Sequence, residues 1–196
     1  MTTRAAPRGL TGRLARDVDE AFPSLVEAYI DGIFSGIRRL TPTKADAEDL
    51  TQEAFIRAYR ALSEYAPERI VELALRPWLW TIALNLCRSA ARRRSRRVTE
   101  VAFAADFADA PSPDLTDADA VAAVMQQEWA ERLRLLPEPQ RAAVVLRHVV
   151  DLPYAEIAAI TARPVGTVKA DVHRGIERLR SSLAGAPGFD EEGAQS

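Results

Sequence analysis

Six arginines stand within ten residues, at Arg88, Arg92, Arg93, Arg94, Arg96 and Arg97. A guanidinium keeps its charge at biological pH and presents a planar fork of donors that fits a phosphate. The chemistry of such a block is neutralisation of a polyanion, with the salt dependence that counterion release brings. Residues for covalent chemistry are sparse. The only histidines are His148 and His173, and Cys87 is the lone cysteine, far from both in sequence. There is no zinc-ligand spacing, phosphate-cradling glycine loop or nucleophile motif. No catalytic residue, metal or cofactor is therefore expected, and the chain is not expected to be an enzyme. His148 reads as a surface or domain-packing residue.

Charge is segregated along the chain, although the net value is only -2. From Val98 to Glu131 there is no basic residue, and that span holds Glu100, Asp106, Asp109, Asp114, Asp117, Asp119, Glu128 and Glu131. It also contains Pro111-Ser112-Pro113 and few large apolar residues. Residues 98–118 accordingly read as an acidic flexible linker between two small domains. An apolar share of 47% suffices for a core in each. A single Cys cannot close an internal disulfide, which fits a reducing compartment. No apolar run approaches the roughly 18 residues of a membrane span, and the arginine-bearing N-terminus lacks a signal peptide's apolar core. The expected location is cytoplasmic, without membrane insertion. Terminal segments 1–17 and 185–196 read as disordered tails.

The elements that must carry the arginine block are helical. Phe22, Leu25, Val26, Tyr29, Ile30, Ile33, Phe34 and Ile37 recur at helical spacing. A second helix should start after Thr43 as N-cap, with Asp46 and Glu48 near the positive end of its dipole. Ala47, Leu50, Ala54, Phe55, Ala58 and Leu62 form its inner face, and Asp46, Asp49, Glu53, Arg57 and Arg60 its outer face. A third should start near Pro77 and run into the arginines, with Leu79, Ile82, Ala83 and Leu86 inward. Segment 63–76 joins them, with one helical turn expected at 70–75. Trp78 and Trp80, two positions apart on a helix, diverge by about 200° and cannot both be core. Trp78 is expected to be buried, leaving Trp80 to surface packing or a stacking contact. Strand signals are absent, so the chain reads as all-α.

Residues 136–180 read as a helix, a tight turn and a longer helix, the layout that lays a second helix in the major groove of DNA. Pro153 and Pro164 suit first helical turns, and Pro164 pushes Arg163 out of the helical region. Val165, Val168, Val172, Ile176, Leu179 and Leu183 step by three and four along one buried stripe. Gly166, Ala170, His173 and Arg174 lie opposite, flanked by Thr167, Lys169 and Asp171. Small, basic and hydrogen-bonding residues at that place suit base and backbone contact. An ordinary helical hairpin with a solvated face is the competing reading.

Residues 164–169 (PVGTVK), followed by His173-Arg174 and Arg178-Leu179-Arg180, resemble the promoter-reading helix in the fourth conserved region of bacterial RNA polymerase sigma factors, within the extracytoplasmic-function (ECF) group. The helix DAEDLTQEAFIRAYRAL from Asp46 resembles the second conserved region, and RPWLWTIALNLCRSAARRR from Arg76 continues that likeness. The resemblance covers about 22–183 in two blocks. It implies a region-2-like domain at 18–97 and a region-4-like helix-turn-helix domain at 119–184. The implied function is that of an alternative sigma factor that binds core RNA polymerase, directs it to promoters and helps melt them. The implied polymerase contacts are Asp46, Asp49, Gln52, Glu53 and Arg57. Those to the minus-ten element are Tyr65, Trp80, Asn85, Arg88, Arg92 and Arg93, with Arg69 a weaker candidate. Those to the minus-thirty-five element are Thr167, Lys169, Ala170, His173 and Arg174. Partners implied are the clamp of the largest polymerase subunit, the flap of the second-largest, promoter DNA, and an anti-sigma factor as a candidate third partner. The acidic linker would thread the RNA channel and mimic the transcript backbone.

Two departures from the family pattern stand out. Thr161-Ala162-Arg163 fills a turn where the family usually has Gly, and Ala162 would have to tolerate the angle. Ala170-Asp171 replaces a common Ser-Arg pair. An exposed carboxylate there would repel phosphate, accept from cytosine N4, or simply be solvated. Two other functions compete: a repressor or activator using the C-terminal module alone, which has no need of the DAEDLTQEAF helix, and a module that sequesters another transcription factor, which has no need of the arginine block.

Overall fold

The computed structural model describes residues 9–100 and 128–184, with side chains at 9–96 and 128–183. All regular structure among these residues is helical. The helices are α1 (Leu10–Arg16), α2 (Val18–Leu40), α3 (Lys44–Glu64), α4 (Pro67–Val71) and α5 (Leu75–Glu100). They continue with α6, described over 128–134, α7 (Glu138–His148), α8 (Tyr154–Thr161) and α9 (Val165–Ala184).

Local chemistry sets the helix starts. The Asp17 carboxylate accepts from the Glu20 backbone N–H at 3.0 Å and opens α2. Thr43 opens α3 as expected, its hydroxyl oxygen accepting from the Asp46 backbone N–H at 3.0 Å. The joining segment forms its helical turn at 67–71 rather than 70–75, where Pro67 supplies the preset first-turn φ. α5 begins at Leu75, just before the expected Pro77, and continues through Glu100. Positions 98–100, read as linker, are thus helical; the rest of that linker, including the carboxylates at Asp106, Asp109, Asp114 and Asp117, lies outside the described residues, as does the tail 185–196.

The segment 1–17 is not simply a tail. Its second half is α1, whose Leu10 and Leu14 are fully buried against α2 and α4. Burying two leucines is worth about 1.5–3 kcal/mol each. Two apolar residues one turn apart are too weak a signal in sequence, but enough once a neighbouring surface is there to receive them.

Helices α1–α5 pack around Leu25, Ile37, Leu62, Leu79 and Leu84. Helices α7–α9 pack around Val145, Leu146, Leu152 and Ile157. The two lobes meet where α5 rests on α8 and α2 on α7. At this seam the Trp80 ring and the Val150 side chain both lie against Gly36 of α2. Arg76 donates to the Val150 carbonyl, and Arg134 to the Pro42 carbonyl. Arg88 Nε reaches Glu138 Oε1 at 2.8 Å. Cys87 is also buried, and burial pushes its thiol up to about 12, so it stays protonated. No described helix is long and apolar enough to cross a membrane.

Candidate nucleic-acid interface

The outer face of α3 comes out much as its pattern suggests. Asp49, Gln52 and Arg57 are exposed and Glu53 is partly so. Arg57 Nε donates to Glu53 Oε1 at 2.7 Å, the i,i+4 pair that stabilises an isolated helix by a few tenths of a kcal/mol. Asp46 is tied down instead. It accepts from the Thr43 hydroxyl at 2.7 Å and from Arg94 at 2.8 Å. Partial burial pulls its pKa up, but the Thr43 bonds and the Arg94 charge outweigh that and hold it below the usual carboxylate value.

Beside this face, α2 and α3 enclose an open apolar groove of about 640 Å³. Phe22, Val26, Ile30, Phe34 and Ile56 line it, together with Gln52. In the sequence the α2 residues are grouped only by their helical spacing. The usable signal was the width of the stripe. Leu25, Tyr29, Ile33 and Ile37 are buried and already form one helix face, so Val26, Ile30 and Phe34 must form a second.

On α5 the tryptophans are exchanged relative to expectation. Trp80 is 2% exposed, so in this arrangement it is a core residue and is not available to a DNA base. Trp78 is only partly buried and stands against Tyr65, ring centroids 6.2 Å apart. The Arg69 guanidinium lies 3.6 Å above the Tyr65 ring. At about 100° per residue, Trp78, Asn85 and Arg92 share one face of α5, opposite Trp80. Asn85, Arg92 and Arg93 are exposed. Arg88 is only 23% exposed at its side chain and is held by Glu138 of the other lobe, so in this arrangement it is not available to a phosphate. The sequence could not reveal that pairing, because the carboxylate comes from a lobe beyond the acidic stretch.

The second lobe carries the helix-turn-helix in α8 and α9. Ala162 takes the left-handed conformation, φ 52° and ψ 43°. The Arg163 N–H then bonds the Ala158 carbonyl at 3.0 Å and the Ala162 N–H bonds Ala159 at 3.3 Å. This is a Schellman closure made with Ala where Gly is commoner. Lys169, His173 and Arg174 are exposed on α9, with Thr167 and Ala170 partly so. His173 Nδ1 lies 3.4 Å from Glu177 Oε2. Asp171, read as a residue of the exposed flank, is buried at 3% and is bound by Arg163 and Arg174.

Residues 25–97, which span most of the first lobe, match the family described as Sigma-70 region 2, and residues 126–179 match Sigma-70, region 4. The fold is thus that of a sigma-70-type transcription initiation factor. The chain is 37% identical to the ECF RNA polymerase sigma factor SigE of Mycolicibacterium smegmatis over 84% of its own length and 63% of that protein's. It is 33% identical to the ECF RNA polymerase sigma factor SigW of Bacillus subtilis, over 84% of this chain and 89% of that one. A similar solved structure is the sigma factor RpoE in complex with the anti-sigma factor NepR, from Bartonella quintana. Its TM-score is 0.67 and its identity 25%, over 85% of this chain and 98% of that one. The chain belongs to the ECF RNA polymerase sigma factors, and its function is promoter recognition at transcription initiation.

Proposed function

We propose that the chain works as two weak DNA readers that become specific when core RNA polymerase holds both. The region-2-like domain at 18–97, extended backward by α1, binds the polymerase clamp through Asp49, Gln52, Glu53 and Arg57, with the neighbouring apolar groove completing that surface. The same domain reads the minus-ten element with Tyr65, Arg69, Trp78, Asn85, Arg92 and Arg93. Aromatic faces stack on unpaired bases, and arginines supply the salt-dependent share of affinity. Capture of an extruded base offsets the cost of unstacking it. The region-4-like domain at 119–184 meets the polymerase flap and reads the minus-thirty-five element with Thr167, Lys169, Ala170, His173 and Arg174. No step needs covalent chemistry, and the chain acts in the cytoplasm as a binding factor rather than an enzyme.

The observation that carries this reading is the coexistence, in one chain, of a polar α3 face beside an open groove and a separate helix-turn-helix. A repressor needs only the second. Elements about 25 base pairs apart lie about 85 Å apart on B-form DNA, whereas a chain of this length folded compactly is about 40 Å across. The docked lobes must therefore separate for both elements to be read. Holding them at that separation is the work polymerase does, by raising the effective concentration of each reader at its site. The complex of a related sigma factor with an anti-sigma protein supports an anti-sigma partner here as well, one that would hold the lobes together.

Run-off transcription with purified core RNA polymerase, on sheared DNA from the source genome, tests the reading. The expected result is protein-dependent transcripts starting at discrete sites, whose aligned upstream sequences share two elements. Failure to stimulate transcription, together with failure to retain core polymerase in a pull-down, would reject it.

A further inference from the structure

Asp171 occupies the reading helix at a place where a carboxylate beside phosphate should weaken binding. Its burial changes the question. At 3% exposure its charge needs compensation, since an unpaired buried carboxylate is strongly destabilising. Two guanidiniums provide it: Arg174 reaches Oδ1 at 2.9 Å, one turn along α9, and Arg163 bonds Oδ2 from the turn between α8 and α9. Arg163 is held at both ends. Its backbone N–H is fixed to Ala158 by the left-handed turn at Ala162, and its side chain by Asp171. Both arginines keep an outer surface, Arg163 one third and Arg174 about half exposed at the side chain. One carboxylate therefore gathers two cations at the edge of the face that carries Thr167, Ala170 and His173, and leaves a net positive charge there.

We propose that Asp171 is a positioning residue that presents Arg163 and Arg174 as a paired contact to one DNA phosphate flanking the upstream element, and that Arg163 is itself a DNA-contacting residue. This rests on reading α9 as the minus-thirty-five helix. A planar guanidinium loses little entropy on binding when its orientation is already fixed. Charge-assisted bonds to a phosphate are the strong class of hydrogen bond. Phosphate contacts of this kind set register rather than sequence.

The sign of one substitution separates this from simple electrostatics. Asp171→Asn removes a negative charge next to phosphate, so charge alone predicts tighter binding at low salt. Positioning predicts weaker binding, because both arginines lose their common anchor. The experiment measures binding of the full chain, assembled with core polymerase, to a labelled duplex carrying a promoter mapped by run-off transcription, over a range of salt. Circular dichroism and thermal melting of each variant confirm folding. The expected result for Asp171→Asn is about tenfold weaker binding. For Arg163→Ala, which leaves the Asp171–Arg174 pair in place, it is weaker binding of similar size across upstream sequence variants and a salt slope reduced by about one. Arg163→Lys, which keeps the charge, should restore the slope.

Unchanged or tighter binding by Asp171→Asn, or an unchanged salt slope in Arg163→Ala, would overturn the proposal. Lys169→Ala serves as the control for the underlying reading. If it weakens binding while the Asp171 and Arg163 variants do not, the positioning role fails and the reading of α9 stands. If Lys169→Ala also has no effect, the reading of α9 fails and the proposal falls with it.

Discussion

Two helices of this molecule carry the arginines proposed to meet DNA, and they are held in opposite ways. Helix α9 buries one stripe in its own lobe and leaves Lys169, His173, Arg174, Arg178 and Arg180 exposed. Its buried carboxylate, Asp171, binds Arg174 of the same helix and Arg163 of the turn just before it. Helix α5 is central, and both lobes press on it. Trp80 fills the seam between them, Arg88 is paired to Glu138 across it, and Arg94 is paired to Asp46 of α3. Arg92 and Arg93, further along, remain exposed. The same residue type is therefore a ready contact on one helix and partly a structural tie on the other. The deciding quantity is not charge but where the nearest carboxylate sits.

The largest expected effect tests the inner face of α5. Trp80→Ala empties a fully buried aromatic site and should cost about 3–5 kcal/mol in thermal or denaturant unfolding. Trp78→Ala, on the outer face, should cost much less stability and instead slow promoter melting, read as permanganate reactivity of unpaired thymines. If Trp80→Ala left stability intact and lost only melting activity, α5 would be turned the other way from the arrangement described. Next in size is Gly36→Ala. A Cβ there would overlap the Trp80 ring and stand 3.0 Å from Val150 Cγ2. With Trp80 buried and unable to swing aside, overpacking should cost about 1–3 kcal/mol. Gly166→Ala on α9 meets nothing within 4 Å and should be near neutral in the same melting experiment. Equal effects at the two glycines would erase the difference between the helices.

Legibility in sequence followed the range of the interaction. Thr43 was readable as a cap because a cap and its N–H lie three residues apart, and Pro153 and Pro164 mark helix starts for an equally local reason. The recognition helix was readable because its stripe repeats over five turns. Helix α1 was not, since Leu10 and Leu14 acquire meaning only against α2 and α4. The choice between Trp78 and Trp80 depended on which face of α5 the second lobe covers, a fact carried by Val150 some seventy residues on. Asp171 looked exposed because its partner Arg163 belongs to a turn whose left-handed Ala162 no periodicity announces. In the candidate interface, the polar positions of α3 and α9 were legible, whereas the groove and the ion pairs that redirect Arg88 and Asp171 were not, because each needs two elements brought together.

The smallest expected effect is the most discriminating for function. Glu138 and Arg88 form a pair with side chains 40% and 23% exposed, and pairs so placed contribute about 0–1 kcal/mol. Glu138→Gln keeps the volume and removes the charge, so unfolding should shift by less than about 1 kcal/mol. The seam keeps Arg76 on the Val150 carbonyl and Arg134 on the Pro42 carbonyl, and docking is weakened rather than abolished. If docked lobes and promoter-bound lobes exclude one another, every fraction of a kcal/mol lost from docking is returned to promoter binding by linkage. The apparent affinity of the free chain for a complete promoter should then rise up to about fivefold. Energy transfer between dyes on α3 and on the C-terminal part of α9 should fall in the free chain, and buried Cys87, with its raised thiol, will not take up label. A duplex carrying only the upstream element should show no such gain, since α9 is exposed in either state. Equal gains on both duplexes would mean that the Glu138 charge acts through space on DNA, and that α5 and α9 are alike in accessibility after all.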